Sequence, residues 1–320
     1  MLLLIVLAGG WLAWALLLPV RPAETKFVML KPGWSTRHIA SELQANGVIR
    51  SWRAFLLYHY LARHHSLKAG EYKFDDEESA LRVHDRLMRG DIYVHTVVVP
   101  EGFNMFDIAG AIEAAGLGSK QEFLDQAQKT ALIHELDPEA KTLEGYLFPD
   151  TYGFTRTQSM EDIVSTMVHR FKQEAKQIGL NADVHRVVTL ASIVEKETAA
   201  ADERPLVAGV YLNRLSKGMA LDADPSVIYA ALLAGRYQGT IYQSDLHFDS
   251  AYNTYKNPGL PPGPIANPGK ASLQAAMNPT QTDYLYFVSD NNGHHRFART
   301  LDEHSHNVAL YRRAVSGGSQ

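Results

Sequence analysis

The 320-residue sequence contains no cysteine. Disulfide bonds, thiolate metal sites and a cysteine nucleophile are therefore excluded, although the absence does not fix the cellular compartment. The sequence also has no long run of lysine or arginine, and its formal net charge is −4. We therefore expect no nucleic-acid partner, because nucleic-acid binding depends on clustered positive charge.

Charged side chains are also absent from residues 1–20, MLLLIVLAGGWLAWALLLPV. This is about the length that spans a bilayer as a helix, so we expect a single-pass membrane anchor. A cleaved signal peptide is the alternative, but the run is longer than a typical signal core and ends without an Ala-x-Ala-like site. No basic residue precedes the run, which would also fit a missing basic leader. We expect the bulk of the chain to lie outside the cytoplasm.

The remaining sequence is typical of an ordered globular protein, with 46% hydrophobic and 21% charged residues overall. TKFVMLKPG predicts a strand, helices follow Ser35 and Ser51, and residues 69–74 predict a second strand. This order resembles a LysM-type carbohydrate-binding module. We expect an α+β protein composed of a transmembrane helix (1–20), a LysM-like lobe (26–94), a second small lobe or connection (95–144) and a mixed α+β catalytic domain (145–315).

The second predicted lobe has a sequence pattern similar to that of the first. VPEGFNMFDIAGAIE matches KPGWSTRHIASEL in its order of strand, Pro/Gly turn and amphipathic helix. The pattern is consistent with a degenerate internal repeat, and coincidence is an equal alternative.

The stretch ASIVEKET places two carboxylates at the end of an apolar helix predicted over about 183–199. At about 100° per residue, Thr189, Ser192 and Lys196 form a narrow polar stripe. Glu195 and Glu197 lie off this stripe and point roughly opposite ways, so they cannot form one close carboxylate pair.

The position of these glutamates has an electrostatic consequence. The last turn of a helix disfavours a carboxylate, and apolar neighbours act in the same direction, so both effects raise the pKa of each side chain. A carboxylic acid that stays protonated near neutral pH suits general-acid cleavage of a glycosidic bond. The structural alternative is a solvated helix end, with Glu195 or Glu197 paired to Arg204.

Two later segments carry further polar candidates. Asp224 precedes Pro225, which is typical of a helix N-cap, so a purely structural role is the leading interpretation for this residue. Residues 251–269, AYNTYKNPGLPPGPIANPG, form a loop stiffened by proline and rich in tyrosine and asparagine. Such a loop could stack on sugar faces and hydrogen-bond their hydroxyl or acetamido groups, or could be scaffolding alone.

The fourteen histidines raise the question of a metal site. Asn291–Gly293 predicts a hairpin turn, which places His294 and His295 at the start of a strand. His304 and His306 lie on the predicted final helix, where a spacing of two puts them on different faces. We therefore expect no metal ion, and the sequence shows no cofactor motif.

ASIVEKET, ERPLVAGVYLNRLSKGMALDADPSVIYA, AYNTYKNPGLPPGPIANPG and YLYFVSDNNGHHRF together resemble the endolytic murein transglycosylase family, also known as the MltG or YceG-like proteins. The resemblance extends over nearly the whole chain. It implies that the second glutamate of VEKE, Glu197, is catalytic. It also implies a mechanism: MurNAc–GlcNAc bonds within peptidoglycan strands are cleaved without water, leaving 1,6-anhydro-MurNAc ends.

The same resemblance implies a setting for the activity. The enzyme would sit at the bacterial inner membrane, held in the bilayer by residues 1–20, and would act in cell wall assembly beside penicillin-binding synthases. The side chains expected to contact the glycan are Glu195, Asn213, Asp224, Tyr252, Asn253 and Tyr255. Two alternatives stay open: a peptidoglycan-binding scaffold without chemistry, and a lysozyme-type muramidase in which Asp224 or Glu195 activates water.

Overall fold

The computed structural model describes residues 2–62 and 66–317, and the chain divides into two units. Unit 1 comprises the residues up to Thr96 together with Gly153–Ser159. Unit 2 comprises Val97–Tyr152 and the residues from Met160 onward. The segment predicted as a second small lobe therefore groups mainly with unit 2, because residues 97–144 make their contacts there.

Unit 1 is an α+β lobe, as predicted. Its elements in chain order are α1 (Leu2–Leu17), β1 (Lys26–Leu30), α2 (Thr36–Ala45), α3 (Trp52–Leu61), β2 (Gly70–Phe74) and α4 (Ala80–Arg89). β1 and β2 pair antiparallel, with Lys26 opposite Phe74 and Leu30 opposite Gly70. The predicted order of strand, two helices and strand is confirmed, while the LysM-type assignment stays a prediction.

Serine residues set the starts of the lobe's helices. The side chains of Ser35, Ser51 and Ser79 accept hydrogen bonds from backbone N–H groups in the first turns of α2, α3 and α4. Such caps satisfy donors that the helix itself cannot pair. The apolar faces of these helices then pack against the inward side chains of β1 and β2, around Leu43, Phe55 and Tyr72 among others.

The predicted membrane anchor corresponds to α1, which is 16 residues long and entirely apolar. The helix ends at Leu17 because Pro19 follows, and a residue that precedes proline disfavours helical geometry. Within residues 2–62 and 66–317, no helix combines the length and apolar character needed to cross a membrane. The prediction of a transmembrane helix over residues 1–20 is therefore not confirmed.

A second two-stranded sheet contains the points where the chain passes between the units. It pairs β3 (His95–Val98) with β4 (Thr151–Phe154). Two helices, α5 (Met105–Ala114) and α6 (Lys120–Ala127), lie between these strands in the sequence. The order of strand, two helices and strand thus occurs twice in the chain, which supports the internal repeat.

Unit 2 carries the longest helices and a hairpin. Its remaining elements are α7 (Met160–Ile178), α8 (Val184–Glu197), α9 (Arg204–Ser216), α10 (Asp224–Leu233), α11 (Lys270–Met277), β5 (Tyr286–Ser289), β6 (His295–Ala298) and α12 (Leu301–Gly317). β5 and β6 pair antiparallel, as the Asn-Asn-Gly turn predicted. Together with unit 1, these elements confirm a mixed α+β fold class.

A buried carboxyl group lies in the core of unit 2. Glu144 is 1% exposed and accepts hydrogen bonds from the backbone N–H of Met105, at 2.9 Å, and from the Asn267 amide, at 2.8 Å. Burial raises the pKa of Glu144 to about 8, against the opposing hydrogen bonds from Met105 and Tyr229. Glu144 therefore holds its proton at neutral pH, while it joins the start of α5 to the loop that precedes α11.

We expect Glu144 to make the protein less stable as the pH rises. Its folded pKa of about 8 lies above the ordinary 4.5, so its stabilising contribution is complete below about pH 4.5 and is lost as the pH rises through 8. The loss is at most about 1.4 kcal/mol per pH unit. Urea unfolding at pH 7 and pH 8 should therefore show a steeper decrease in the free energy of unfolding for wild type than for Glu144→Gln. Equal slopes would contradict the assignment.

Candidate active site

The last turn of α8 carries two carboxylates, Glu195 and Glu197. The side chains of Val188, Ile193 and Val194 are completely buried, which fixes the rotation of the helix. α8 ends at Glu197, and Thr198 follows in an extended conformation. As the winding of the sequence predicted, Glu195 and Glu197 point into different surroundings.

Glu197 is half-buried, and the Tyr211 hydroxyl of α9 donates a hydrogen bond to its Oε1 atom at 2.8 Å. Burial raises the pKa of Glu197 to about 7; the Tyr211 hydrogen bond lowers this pKa and the negative charge of Asp224 raises it. A carboxyl group with this pKa can both give and take a proton near neutral pH.

The Glu197 side chain lines a cavity of about 410 Å³. The cavity is lined by three carboxylates and several aromatic and cationic groups. They come from α8, α9, the loop between α9 and α10, α10, the loop around residue 255, β5 and α12. The polar and aromatic members of this lining are Glu197, Tyr211, Arg214, Asp222, Asp224, Tyr255, Tyr286, Phe287 and His304. Chain segments more than 100 residues apart thus form one site.

Asp224 is the second carboxylate of interest in this cavity. It is the first residue of α10 and makes no capping hydrogen bond, so the predicted N-cap role is wrong: Ala223 holds the cap position. The Oδ1 atom of Asp224 instead accepts a hydrogen bond from the Tyr255 hydroxyl at 2.6 Å. The structure therefore brings Glu197, Asp224 and Tyr255 to the same cavity.

Another part of the cavity lining is cationic and aromatic. The Arg214 guanidinium donates to the backbone oxygen of Ala220 at 2.8 Å, binds Asp222 and lies 5.5 Å from the centre of the Tyr286 ring. His304 stacks on the same ring at 5.1 Å. Burial, together with Arg214, lowers the pKa of His304, so this imidazole is neutral at neutral pH.

Glu195 lies outside the cavity lining and has structural partners. Its Oε1 atom accepts a hydrogen bond from Arg204 at 3.0 Å, and its Oε2 atom accepts one from the backbone N–H of Gly269 at 2.9 Å. The ion pair with Arg204 is the structural alternative considered for these glutamates, and it applies to Glu195 alone. Glu195 therefore joins the end of α8 to the start of α9 and the start of α11.

Three other residues expected to contact glycan have partners within the protein. The Asn213 amide donates to the backbone oxygens of Thr282 and Tyr284, at 2.6 and 3.0 Å. The Asn253 amide is completely buried and donates to the backbone oxygen of Phe248 at 2.8 Å. Tyr252 packs 5.1 Å from Tyr229, away from the Glu197 cavity. The structure does not bring these three side chains into the site.

The proline-rich loop has two different halves. Its first half carries Tyr255 to the cavity, whereas Ile265 and Asn267 in its second half are buried. The backbone N–H of Ile265 donates to Ser192 at 3.0 Å, so the polar stripe of α8 at this position faces the loop rather than solvent. The loop is therefore mainly scaffolding, with one side chain placed at the site.

The histidines expected not to bind metal have other partners. His295 Nδ1 lies 2.7 Å from Glu203 Oε2, and His294 Nδ1 lies 3.2 Å from Glu203 Oε1. Within the described ranges, no group of three or more His, Asp or Glu side chains is arranged to hold a metal ion. These contacts attach the β5–β6 hairpin to the start of α9.

Close backbone packing holds α9, and therefore Tyr211, in place. A Cβ atom at Gly209 would lie 2.2 Å from the backbone oxygen of Thr280. We expect Gly209→Ala to lower the free energy of unfolding by about 1–3 kcal/mol, because the backbone must move apart. The matched control is Gly110→Ala within α5, where the nearest atom is 3.7 Å away and alanine should be neutral or stabilising. Thermal unfolding that left the two variants equally stable would rule out this packing constraint.

The site residues that sequence reasoning missed include Tyr211, Arg214, Tyr286 and His304. Tyr211 stands among apolar residues in the sequence, VAGVYL. The signal that could have found it is its hydroxyl, since a buried tyrosine usually needs a hydrogen-bond partner. The other three come from α9, β5 and α12, and no local pattern shows that these elements meet.

Comparison with known proteins shows which family the chain resembles. A model of the YceG-like family matches residues 28–310. An endolytic murein transglycosylase of Bacillus subtilis is 36% identical over 301 residues, covering 87% of this chain and 82% of its own length. An endolytic murein transglycosylase of Streptococcus pneumoniae is 28% identical; the match covers 94% of this chain but only 62% of the pneumococcal protein.

A solved structure supports the same relationship. A YceG-like protein of Listeria monocytogenes is 33% identical and superposes with a TM-score of 0.57, over 88% of this chain and 99% of that protein. The family match extends well beyond half of the chain and includes every residue that lines the Glu197 cavity. The chain belongs to the YceG-like family.

Proposed function

We propose that the chain is a peptidoglycan lytic transglycosylase that cleaves MurNAc–GlcNAc bonds within glycan strands and leaves 1,6-anhydro-MurNAc ends. The observation that carries the proposal is Glu197, a carboxyl group with a pKa of about 7 at the edge of a cavity of about 410 Å³. The relatives named endolytic murein transglycosylases support the choice of substrate.

In the first step, Glu197 acts as the general acid. It donates its proton to the oxygen of the glycosidic bond, and the bond from that oxygen to C1 of MurNAc breaks. A pKa of about 7 keeps a large fraction of Glu197 protonated at neutral pH. Tyr211 fixes the orientation of the carboxyl group through its hydrogen bond to Oε1.

In the second step, the substrate supplies its own nucleophile. The C6 hydroxyl of the same MurNAc forms a bond to C1, and its proton returns to Glu197, which regenerates the acid. Positive charge develops at C1 while the old bond breaks. The Asp224 side chain, held by its hydrogen bond from Tyr255, is the group that we assign to stabilise this charge. Water takes no part, and the reaction needs no cofactor.

Hydrolysis is the second candidate, and the presence of Asp224 in the same cavity is the observation that favours it. A muramidase would use Asp224 to activate water on the face opposite the acid. Mass spectrometry of digested sacculi separates the two reactions, because the lyase releases anhydro-MurNAc ends and the muramidase releases reducing MurNAc ends. Binding of sacculi with neither product would indicate a peptidoglycan-binding scaffold.

The cellular setting is part of the proposal. We place the enzyme at the inner membrane, attached through the exposed apolar residues of α1, with unit 2 on the outer side, where peptidoglycan is found. There it would terminate nascent strands beside penicillin-binding synthases, and unit 1 would contact glycan as a LysM-like lobe. Flotation of the full chain with lipid vesicles tests the attachment independently of the chemistry.

A further inference from the structure

One face of α3 is apolar and exposed. Leu57, Tyr60 and Leu61 are 42, 65 and 73% exposed, although large apolar side chains are normally buried. Spacings of three and four residues place them on one side of the helix, in line with Arg53. The other side of α3 is buried in the core of unit 1 through Ala54, Phe55 and His59.

This face begins where α1 ends. The Arg50 guanidinium, just before α3, donates to the backbone oxygens of Leu18 and Pro19, and it lies 5.5 Å from the centre of the Trp14 ring. Arg50 therefore ties the start of α3 to the C-terminal end of α1. Any layer that receives α1 up to Leu17 would meet the start of α3 at its surface.

The composition around α3 matches the headgroup region of a bilayer. The guanidinium groups of Arg37 and Arg53 lie 5.2 and 5.3 Å from the centre of the Trp52 ring. Tryptophan and tyrosine concentrate at the boundary between lipid and water, and arginine binds lipid phosphate through paired hydrogen bonds. Residues 31–62 contain four basic side chains against one acidic, whereas residues 68–91 contain five basic against seven acidic. The segment that contains α2 and α3 thus has a net positive charge, whereas the segment that contains β2 and α4 has a net negative charge.

We propose that the α3 face, defined as Arg53, Leu57, Tyr60 and Leu61, lies in the headgroup region of a membrane that contains anionic lipid, with Arg37 and the half-buried Trp52 beside it. The inference rests on the proposed attachment through α1 and adds a second, interfacial contact from unit 1. Lipid suits the face better than a protein partner. The face continues from an exposed apolar helix, and it is bordered by Arg37 and Arg53, for which the described residues show no ion pair. An apolar helix face bordered by basic residues binds in this way.

The absence of cysteine makes the proposal directly testable in the full chain. Single-cysteine variants Leu57→Cys and Tyr60→Cys would be labelled with an environment-sensitive fluorophore. They would be reconstituted in phosphatidylethanolamine–phosphatidylglycerol vesicles with and without spin-labelled lipid. Gln177→Cys, at an exposed position of α7 in unit 2, is the control. Labels at 57 and 60 should shift their emission to the blue and be quenched by the spin-labelled lipid, whereas the label at 177 should do neither.

Flotation and label emission separate the possible failures. If the chain floats with vesicles but the labels at 57 and 60 report water, the α3 face is not a lipid surface and the attachment through α1 stands. If the chain does not float, both the attachment and the α3 face are overturned. Neither result bears on the proposed chemistry, which is measured separately as anhydro-MurNAc release from sacculi.

Discussion

Glu197→Gln should lower the release of anhydro-MurNAc ends by about 10² to 10⁴-fold, the range for loss of a general acid–base group. Glutamine keeps the shape of the side chain and can still accept the Tyr211 hydrogen bond, but it has no proton to give. The variant should fold normally, and at neutral pH it should be at least as stable as wild type, because burial disfavours the charged form of Glu197. Mass spectrometry of digested sacculi measures the activity, and thermal unfolding measures the stability.

Glu195→Gln is the matched control, two residues away on the same helix. This variant should lose stability and keep its activity, the reverse of what we expect for Glu197→Gln. The side chain binds Arg204 and the Gly269 backbone, so its neutralisation should cost about 1–3 kcal/mol of stability. Activity per folded molecule should stay close to wild type, because Glu195 does not line the cavity. If Glu195→Gln abolished cleavage while Glu197→Gln preserved it, the assignment of the acid would be wrong.

The pH dependence of kcat/KM should report the protonation of Glu197. An acid must be protonated to act, so kcat/KM should fall as the pH rises through about 7. The raised pKa has a known cause, namely burial first, opposed by Tyr211 and assisted by Asp224. Substitution of Tyr211 and substitution of Asp224 should therefore shift the pKa of Glu197 in opposite directions.

Tyr211→Phe removes a hydrogen bond that favours the carboxylate, so the alkaline limb should move to higher pH. Asp224→Asn removes a like charge, so the limb should move to lower pH. Asp224→Asn should also lower kcat by about 10²-fold, the range for loss of one electrostatic stabiliser. Limbs that moved in the same direction, or not at all, would show that another group controls the profile. Circular dichroism of each variant checks that the fold is retained.

Many helix boundaries could be predicted from the sequence because they depend on neighbouring residues in the chain. Ser35 and Ser51 begin helices as predicted, and α8 ends next to Thr198 as its apolar run indicated. The opposite directions of Glu195 and Glu197 follow from helical winding alone. Winding could not choose between them, since both border apolar surface. The choice depends on Tyr211 and Arg204, which come from α9.

The two asparagines that we expected to contact glycan, Asn213 and Asn253, do not line the cavity. Asn213 and Asn253 lie in segments rich in polar and aromatic residues, and a sequence does not show whether an amide faces a ligand or its own backbone. Both hold backbone oxygens in irregular segments, where carbonyl groups lack partners from regular secondary structure. Asp224 was misjudged in the opposite direction, because Pro225 suggested a cap whereas Tyr255 holds the carboxylate in the cavity.

The cavity wall formed by α12 has a consequence for biosynthesis. Glu197 and Tyr211 are made well before Leu301, His304 and Val308, which line the same cavity. A chain still being synthesised therefore carries its acid without the wall that shapes the cavity. Such a chain has no complete site with which to attack the glycan, so we expect activity to require that α12 is made and packed.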